Sequence, residues 1–159
     1  MSLKNQIGLE PAETSTLADL LNELLANYQI FYMNVRGFHW NIRGDKFFEL
    51  HAKFEELYTD AFRKIDEVAE RVLTLGFTPY HSFEDFLKHS EIRPVTDVSN
   101  GNEAVGYIVD NFRVLLTKER ELLRLSAEAD DEGTNALMSD YIREQEKMVW
   151  MYSSFLGKK

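Results

Sequence analysis

At 159 residues, with 44% hydrophobic and 28% charged side chains, the chain is long enough for a single domain with a substantial core. Its formal net charge of −9, from 27 acids against 18 bases, disfavours nucleic acid and anionic membrane as partners and favours cations. The absence of cysteine excludes disulfides and thiolate metal sites. No basic segment leads into an apolar run as in a signal peptide, and no apolar run approaches the ~18 residues of a bilayer span. A cytoplasmic location and no membrane partner are therefore expected.

Residues 1–9 read as a short flexible tail on one domain spanning 1–159. From Pro11 or Thr14 to about Asn41, apolar residues recur at spacings of three and four, from Leu17, Leu20, Leu21 and Leu24 to Phe31, Val35 and Phe38. That is the pattern of an amphipathic helix. Arg43-Gly44-Asp45 makes a turn, and a second helix starts near Asp45 or Lys46. Its apolar face runs from Phe47 and Leu50 to Val72 and Leu73, and Leu75-Gly76 ends it, with the glycine placed as a C-terminal cap. So short a connection makes the two helices antiparallel. From Gly76 to Gly101 the chain changes character, with Pro79, Pro94 and Ser99-Asn100-Gly101 marking loops. Within it, Ser82 to His89 reads as a short helix capped by Ser82. About 26 residues suffice to cross from one end of a bundle to the other. A third long helix is expected from about Asn102 to Ala129. After Asp130-Asp131-Glu132-Gly133 comes a fourth, from about Thr134 to Leu156. The fold class is all-α: a ferritin-like four-helix bundle with a short extra helix in the long crossover between the second and third helices.

The chemistry concentrates between His39 and Glu70. His39 lies just before the turn and His51 just after it, so the two can face each other across the hairpin. Glu55 follows His51 by four residues, and Glu70 follows Asp66 by four, so each pair shares a helix face. Imidazole and carboxylate together suit iron or another first-row divalent metal, zinc and manganese included. His51 and Asp66 are fifteen residues apart on one helix, roughly 22 Å, and metal–ligand bonds are about 2 Å. No single ion can touch both within one chain. Either these are two unrelated clusters, or a two-fold dimer brings His39 and His51 of one subunit to Asp66 and Glu70 of the next. Each part also has an ordinary structural use: a carboxylate pair on a helix is commonly a solvated face, and a histidine near a helix end is commonly a packed one. No Glu is followed three residues later by His, which disfavours an intrachain di-iron site of the Glu-x-x-His kind.

The segments Phe38-His39-Trp40-Asn41-Ile42-Arg43-Gly44, Phe47-Phe48-Glu49-Leu50-His51, Phe54-Glu55-Glu56-Leu57 and Ile65-Asp66-Glu67-Val68-Ala69-Glu70-Arg71 closely resemble the Dps family (DNA-binding proteins from starved cells), the mini-ferritins. Glu146-Lys147-Met148-Val149-Trp150-Met151 resembles that family's last helix. The resemblance covers nearly the whole chain. It implies a homo-oligomer, a dodecameric shell, with ferroxidase centres between two-fold-related subunits. Each centre would hold two iron ions, with His39 and His51 from one subunit and Asp66 and Glu70 from the other. Glu55 matches a position that is commonly Asp in the family and that supports a second, weaker iron. Trp40 matches a tryptophan available for electron transfer, though it would equally serve as packing beside the centre. The resemblance further implies oxidation of Fe(II), preferably by hydrogen peroxide, storage of the ferric mineral, and protection against oxidative stress. Glu128, Asp130, Asp131 and Glu132 match the region bordering the three-fold pores through which iron enters; the same residues would serve as a solvated interhelical turn.

The alternative reading is a nucleoid-associated shell that coats DNA, with iron oxidation secondary. Family members that bind DNA often use a lysine-rich tail, and here Lys4 is the only basic residue in the first ten. Twelve copies at −9 would sum to about −108, a strong repulsion from phosphate. DNA binding is therefore not expected.

Overall fold

A computed structural model describes residues 3–158. Met1 and Ser2, part of the expected tail, lie outside the described residues, as does Lys159. Residues 5–9 form a turn in which Asn5 Oδ1 accepts from the amides of Ile7 and Leu9, and Leu9 packs against the core. Five helices follow: α1 (Pro11–Asn41), α2 (Phe47–Thr74), α3 (Phe83–His89), α4 (Gly101–Glu128) and α5 (Glu132–Phe155). No strand occurs among the described residues, and no helix is long and apolar enough to cross a membrane.

The caps explain the boundaries. Pro11 opens α1, where its missing N–H costs nothing. Gly76 ends α2 at φ 94°, with Gly76 N–H donating to Leu73 O and Phe77 N–H to Val72 O. This is the paired C-terminal closure that favours glycine. Ser82 caps α3 by accepting from the Asp85 amide at 3.1 Å. Asn100 caps α4 by accepting from the Glu103 amide at 3.0 Å, so α4 starts at Gly101, one residue before the expected Asn102. Asp131 caps α5 through the Thr134 amide, which moves that helix start two residues ahead of the expected Thr134.

α1 and α2 form one antiparallel hairpin, and α4 and α5 the other. The start of α4 lies beside the start of α2: a Cβ on Gly101 would come within 2.6 Å of Leu50 Cδ1 and 3.7 Å of Ile42 Cδ1. The start of α5 lies at the far end of α2, where Gly133 abuts the Arg71 guanidinium. Hence α2 and α4 run parallel, and the 75–100 connection does cross the length of the bundle. Leu21, Leu24, Tyr28, Phe31 and Val35 of α1, Phe54 and Val68 of α2, Ile108, Phe112 and Leu115 of α4, and Met138 and Tyr141 of α5 fill the middle. Each large apolar side chain so buried contributes about 1.5–3 kcal/mol.

Three buried asparagines of α1 hold the crossover in place. Asn22 bonds Thr78 O and the Tyr80 amide. Asn27 accepts from the amides of Glu91 and Ile92, and from Ser90 Oγ. Asn34 bonds Arg93 O and the Val95 amide. At the far end the Arg43 amide donates to Ser99 O. Together these satisfy main-chain groups of an irregular segment that would otherwise be orphaned against the helix.

Candidate metal centre

The turn from Ile42 to Lys46 brings the end of α1 against the start of α2. Gly44, at φ 112°, supplies a conformation that a side chain would strain. Across it the rings of His39 and His51 stack, with centroids 3.8 Å apart and planes 13° from parallel. Each ring bonds the other residue's backbone: His39 Nδ1 to His51 O at 2.7 Å, and His51 Nδ1 to His39 O at 2.8 Å. A peptide carbonyl can only accept, so both Nδ1 atoms carry hydrogen. In the neutral rings both Nε2 atoms are then left with free lone pairs, the form a metal requires. Phe47 stacks on His51 at 4.9 Å, and Tyr58 meets His39 edge-on at 5.3 Å. His39 is only 7% exposed. The two rings are fixed in place before any ligand arrives.

Glu55 joins them, with Oε1 4.0 Å from His39 Nε2 and most of its carboxylate in solvent. Asp66 and Glu70 do not. They lie exposed further along α2, an unbroken helix, roughly 22 Å from His51. Their proximity to each other is evident in Glu70, whose carboxyl is pushed above its ordinary value, first by the charge of Asp66 and then by a hydrogen bond with it. A bound cation would relieve that repulsion. Among the described residues, no three or more His, Asp or Glu side chains of one chain are grouped to hold a metal ion. The chain thus presents two partial donor sets, a pair of imidazoles and a pair of carboxylates, with the Glu55 carboxylate 4.0 Å from the first.

A family model described as a ferritin-like domain matches residues 18–159. An uncharacterized protein of Haemophilus influenzae is 52% identical over 95% of this chain and 94% of its own. A DNA protection during starvation protein of Porphyromonas gingivalis is 40% identical over 95% of both chains. The chain belongs to the Dps family. The crystal structure of a Dps protein from Vibrio cholerae O1, described as a member of a broad superfamily of ferritin-like diiron-carboxylate proteins, superposes with a TM-score of 0.96. It is 56% identical, and the match covers 98% of each chain.

In this Dps chain Trp40 is 58% exposed. Its ring lies under the Arg36 guanidinium at 4.8 Å, and the same cation lies 5.5 Å from the Tyr32 ring and 5.4 Å from that of Tyr58. Arg36 Nη1 also donates to Tyr32 Oη. This aromatic box around one cation borders the histidines. Tyr32 and Tyr58 fall in the apolar stripes of α1 and α2, and Arg36 carries no sequence signal beyond standing four residues before Trp40.

The acidic turn after α4 divides. Glu128 and Asp130 are exposed, as is Glu132. Asp131 is not: it is 2% exposed, pairs with Arg71 Nη2 at 2.6 Å and caps α5. Its charge is spent inside the subunit, so any acidic pore lining at this turn falls to Glu128, Asp130 and Glu132.

Proposed function

We propose that this Dps chain is the subunit of an iron-storing mini-ferritin that oxidises Fe(II) at centres completed by a two-fold-related copy. Further elements of the proposal are hydrogen peroxide as preferred oxidant, a dodecameric shell around the ferric mineral, a cytoplasmic location and protection against oxidative stress. The observation that carries it is the reciprocal His39–His51 lock. It leaves two Nε2 lone pairs free for a site whose remaining carboxylates, Asp66 and Glu70, stand roughly 22 Å or more away along the same helix. A two-fold axis supplies the missing half at both ends at once. The diiron-carboxylate description of the Vibrio cholerae relative supports iron as the metal.

Neutral imidazole suits Fe(II), and the carboxylates stabilise the harder Fe(III) product. Two irons give peroxide two electrons together: two Fe(II), one H₂O₂ and two protons yield two Fe(III) and two waters, with no hydroxyl radical released. Here His39 and His51 hold the first iron against Asp66 and Glu70 of the copy, and Glu55 serves the second. Trp40 stands at the rim for electron transfer.

Anaerobic loading with Fe(II), followed by peroxide, tests this reading through ferric absorbance. The His39→Ala, Asp66→Ala double variant should lose the rapid phase; oxidation at the wild-type rate would overturn the site. The DNA-coating alternative is disfavoured by the charge of −9 and the sparse tail. Metal-free protein at physiological salt should leave DNA mobility unchanged in a gel, and a clear shift would revive that alternative.

A further inference from the structure

At the middle of the bundle lies a polar cluster outside the proposed ferroxidase site. Glu119 of α4 is 0% exposed and Gln145 of α5 and Tyr28 of α1 are buried beside it. Tyr28 O–H donates to Glu119 Oε2, and Gln145 Nε2 donates to Tyr28 Oη at 2.5 Å. Two oxygens are left over, Glu119 Oε1 and Gln145 Oε1, both buried and both without a hydrogen-bond partner. Two acceptors in one cluster with no donor would leave a buried carboxylate half-solvated, a costly arrangement.

The surrounding donors are committed elsewhere. Lys64 of α2, itself buried, gives its ammonium to Asp60 and Glu144 and lies over the Tyr141 ring. Tyr141 of α5 donates to Glu67, and Arg120 of α4 pairs with Glu146 at 2.6 Å. None of these donates to either oxygen.

We propose that Glu119 carries a proton in the folded subunit, and that this proton, given to Gln145 Oε1, closes a three-membered hydrogen-bonded ring with Tyr28 at the centre of the bundle. Tyr28 then donates to Glu119, Glu119 to Gln145, and Gln145 back to Tyr28, and no oxygen is orphaned. Burial, the dominant influence, pushes the Glu119 carboxyl up to about 8, against the opposing pull of the Tyr28 hydrogen bond, of the neighbouring Gln145 amide and of the Lys64 and Arg120 charges. Burial likewise raises the Tyr28 phenol, which therefore remains a donor. An unfolded Glu ionises near 4.5. The ring's contribution to stability is thus fully present below that value and is lost as pH rises through about 8.

Glu119→Gln tests the proposal because an amide copies the protonated acid: its oxygen accepts from Tyr28 and its NH₂ donates to Gln145. The infrared spectrum of the assembled wild-type protein near neutral pH should contain a protonated-carboxyl C=O band that is missing in Glu119→Gln. That band should bleach with a midpoint near 8. The variant should match wild-type thermal stability in mild acid and exceed it in mild alkali. Three results would overturn the proposal: no such band in the wild type at slightly acidic pH, a variant that is destabilised or unfolded in mild acid, or a stoichiometric metal in the wild type, by elemental analysis, that Glu119→Gln loses. The first concerns the wild type alone and stands whether or not the variant folds.

Discussion

Subunits carrying His39→Ala with His51→Ala, and subunits carrying Asp66→Ala with Glu70→Ala, should each lose rapid peroxide-driven Fe(II) oxidation by more than about a hundredfold. Losing a neighbour of a metal ligand already costs 10–100-fold, and these changes remove the ligands themselves. Unfolded together at equal concentration and reassembled, the two dead variants should recover about a quarter of the wild-type centres. In a mixed two-fold pair, the histidines of the carboxylate variant face the carboxylates of the histidine variant, giving one whole centre; the other centre of that pair keeps only Glu55. Half the pairs are mixed by chance and each has one working centre of two. Stopped-flow ferric absorbance on the mixture reads the recovery. If the two clusters were unrelated, mixing would restore nothing, and the intersubunit reading would fall. Thermal unfolding of each variant checks that the α1–α2 hairpin survives without the histidine lock, as the packing of Phe38 against Phe54 should allow.

Much of the site was legible because helix geometry is periodic. Spacing alone placed His39 opposite His51, set Glu55 on the face of His51, and separated His51 from Asp66 too far for one ion. The way the rings are held was not legible. Each Nδ1 donates to a carbonyl on the other helix, and no local pattern encodes a backbone contact made across a turn. The cation over Trp40 was hidden for a related reason. Arg36 satisfies a cluster of rings drawn from two helices, and only the packed hairpin brings them together.

The four long helices could be read from apolar residues at three and four, and Gly76 and Ser82 act as their identities suggest. The crossover's direction rested on its length. What holds it is Asn22, Asn27 and Asn34, polar positions that interrupt the apolar stripe of α1 and therefore look like noise in a hydrophobic pattern. They are the partners of an irregular segment. Composition misled at one point: Asp130-Asp131-Glu132 reads as a uniform acidic loop, whereas alternate residues have opposite fates because one of them starts a helix.

Asp131→Ala should therefore destabilise the subunit by about 3–5 kcal/mol, the usual cost of removing one partner from a buried ion pair. The carboxylate serves three donors: Arg71 Nη2 at 2.6 Å, the Thr134 amide at 3.1 Å and Thr134 Oγ1 at 2.5 Å. Its loss leaves the Arg71 guanidinium, mostly buried, with Thr134 Oγ1 alone, and frees the first turn of α5 from its cap. Asp131→Asn, which still caps a helix but carries no charge, should fall between the two, and Glu128→Ala, in an exposed pair with Arg124, should change stability by no more than about 0.5 kcal/mol. Iron uptake separates this account from a pore role. Below its lowered melting temperature, Asp131→Asn should take up Fe(II) at the wild-type rate, while replacing Glu128 and Asp130 together should slow it, if the turn lines the route by which iron enters. Were Asp131→Asn as stable as wild type but slow to load iron, its carboxylate would belong to the pore and not to the joint between α2 and α5.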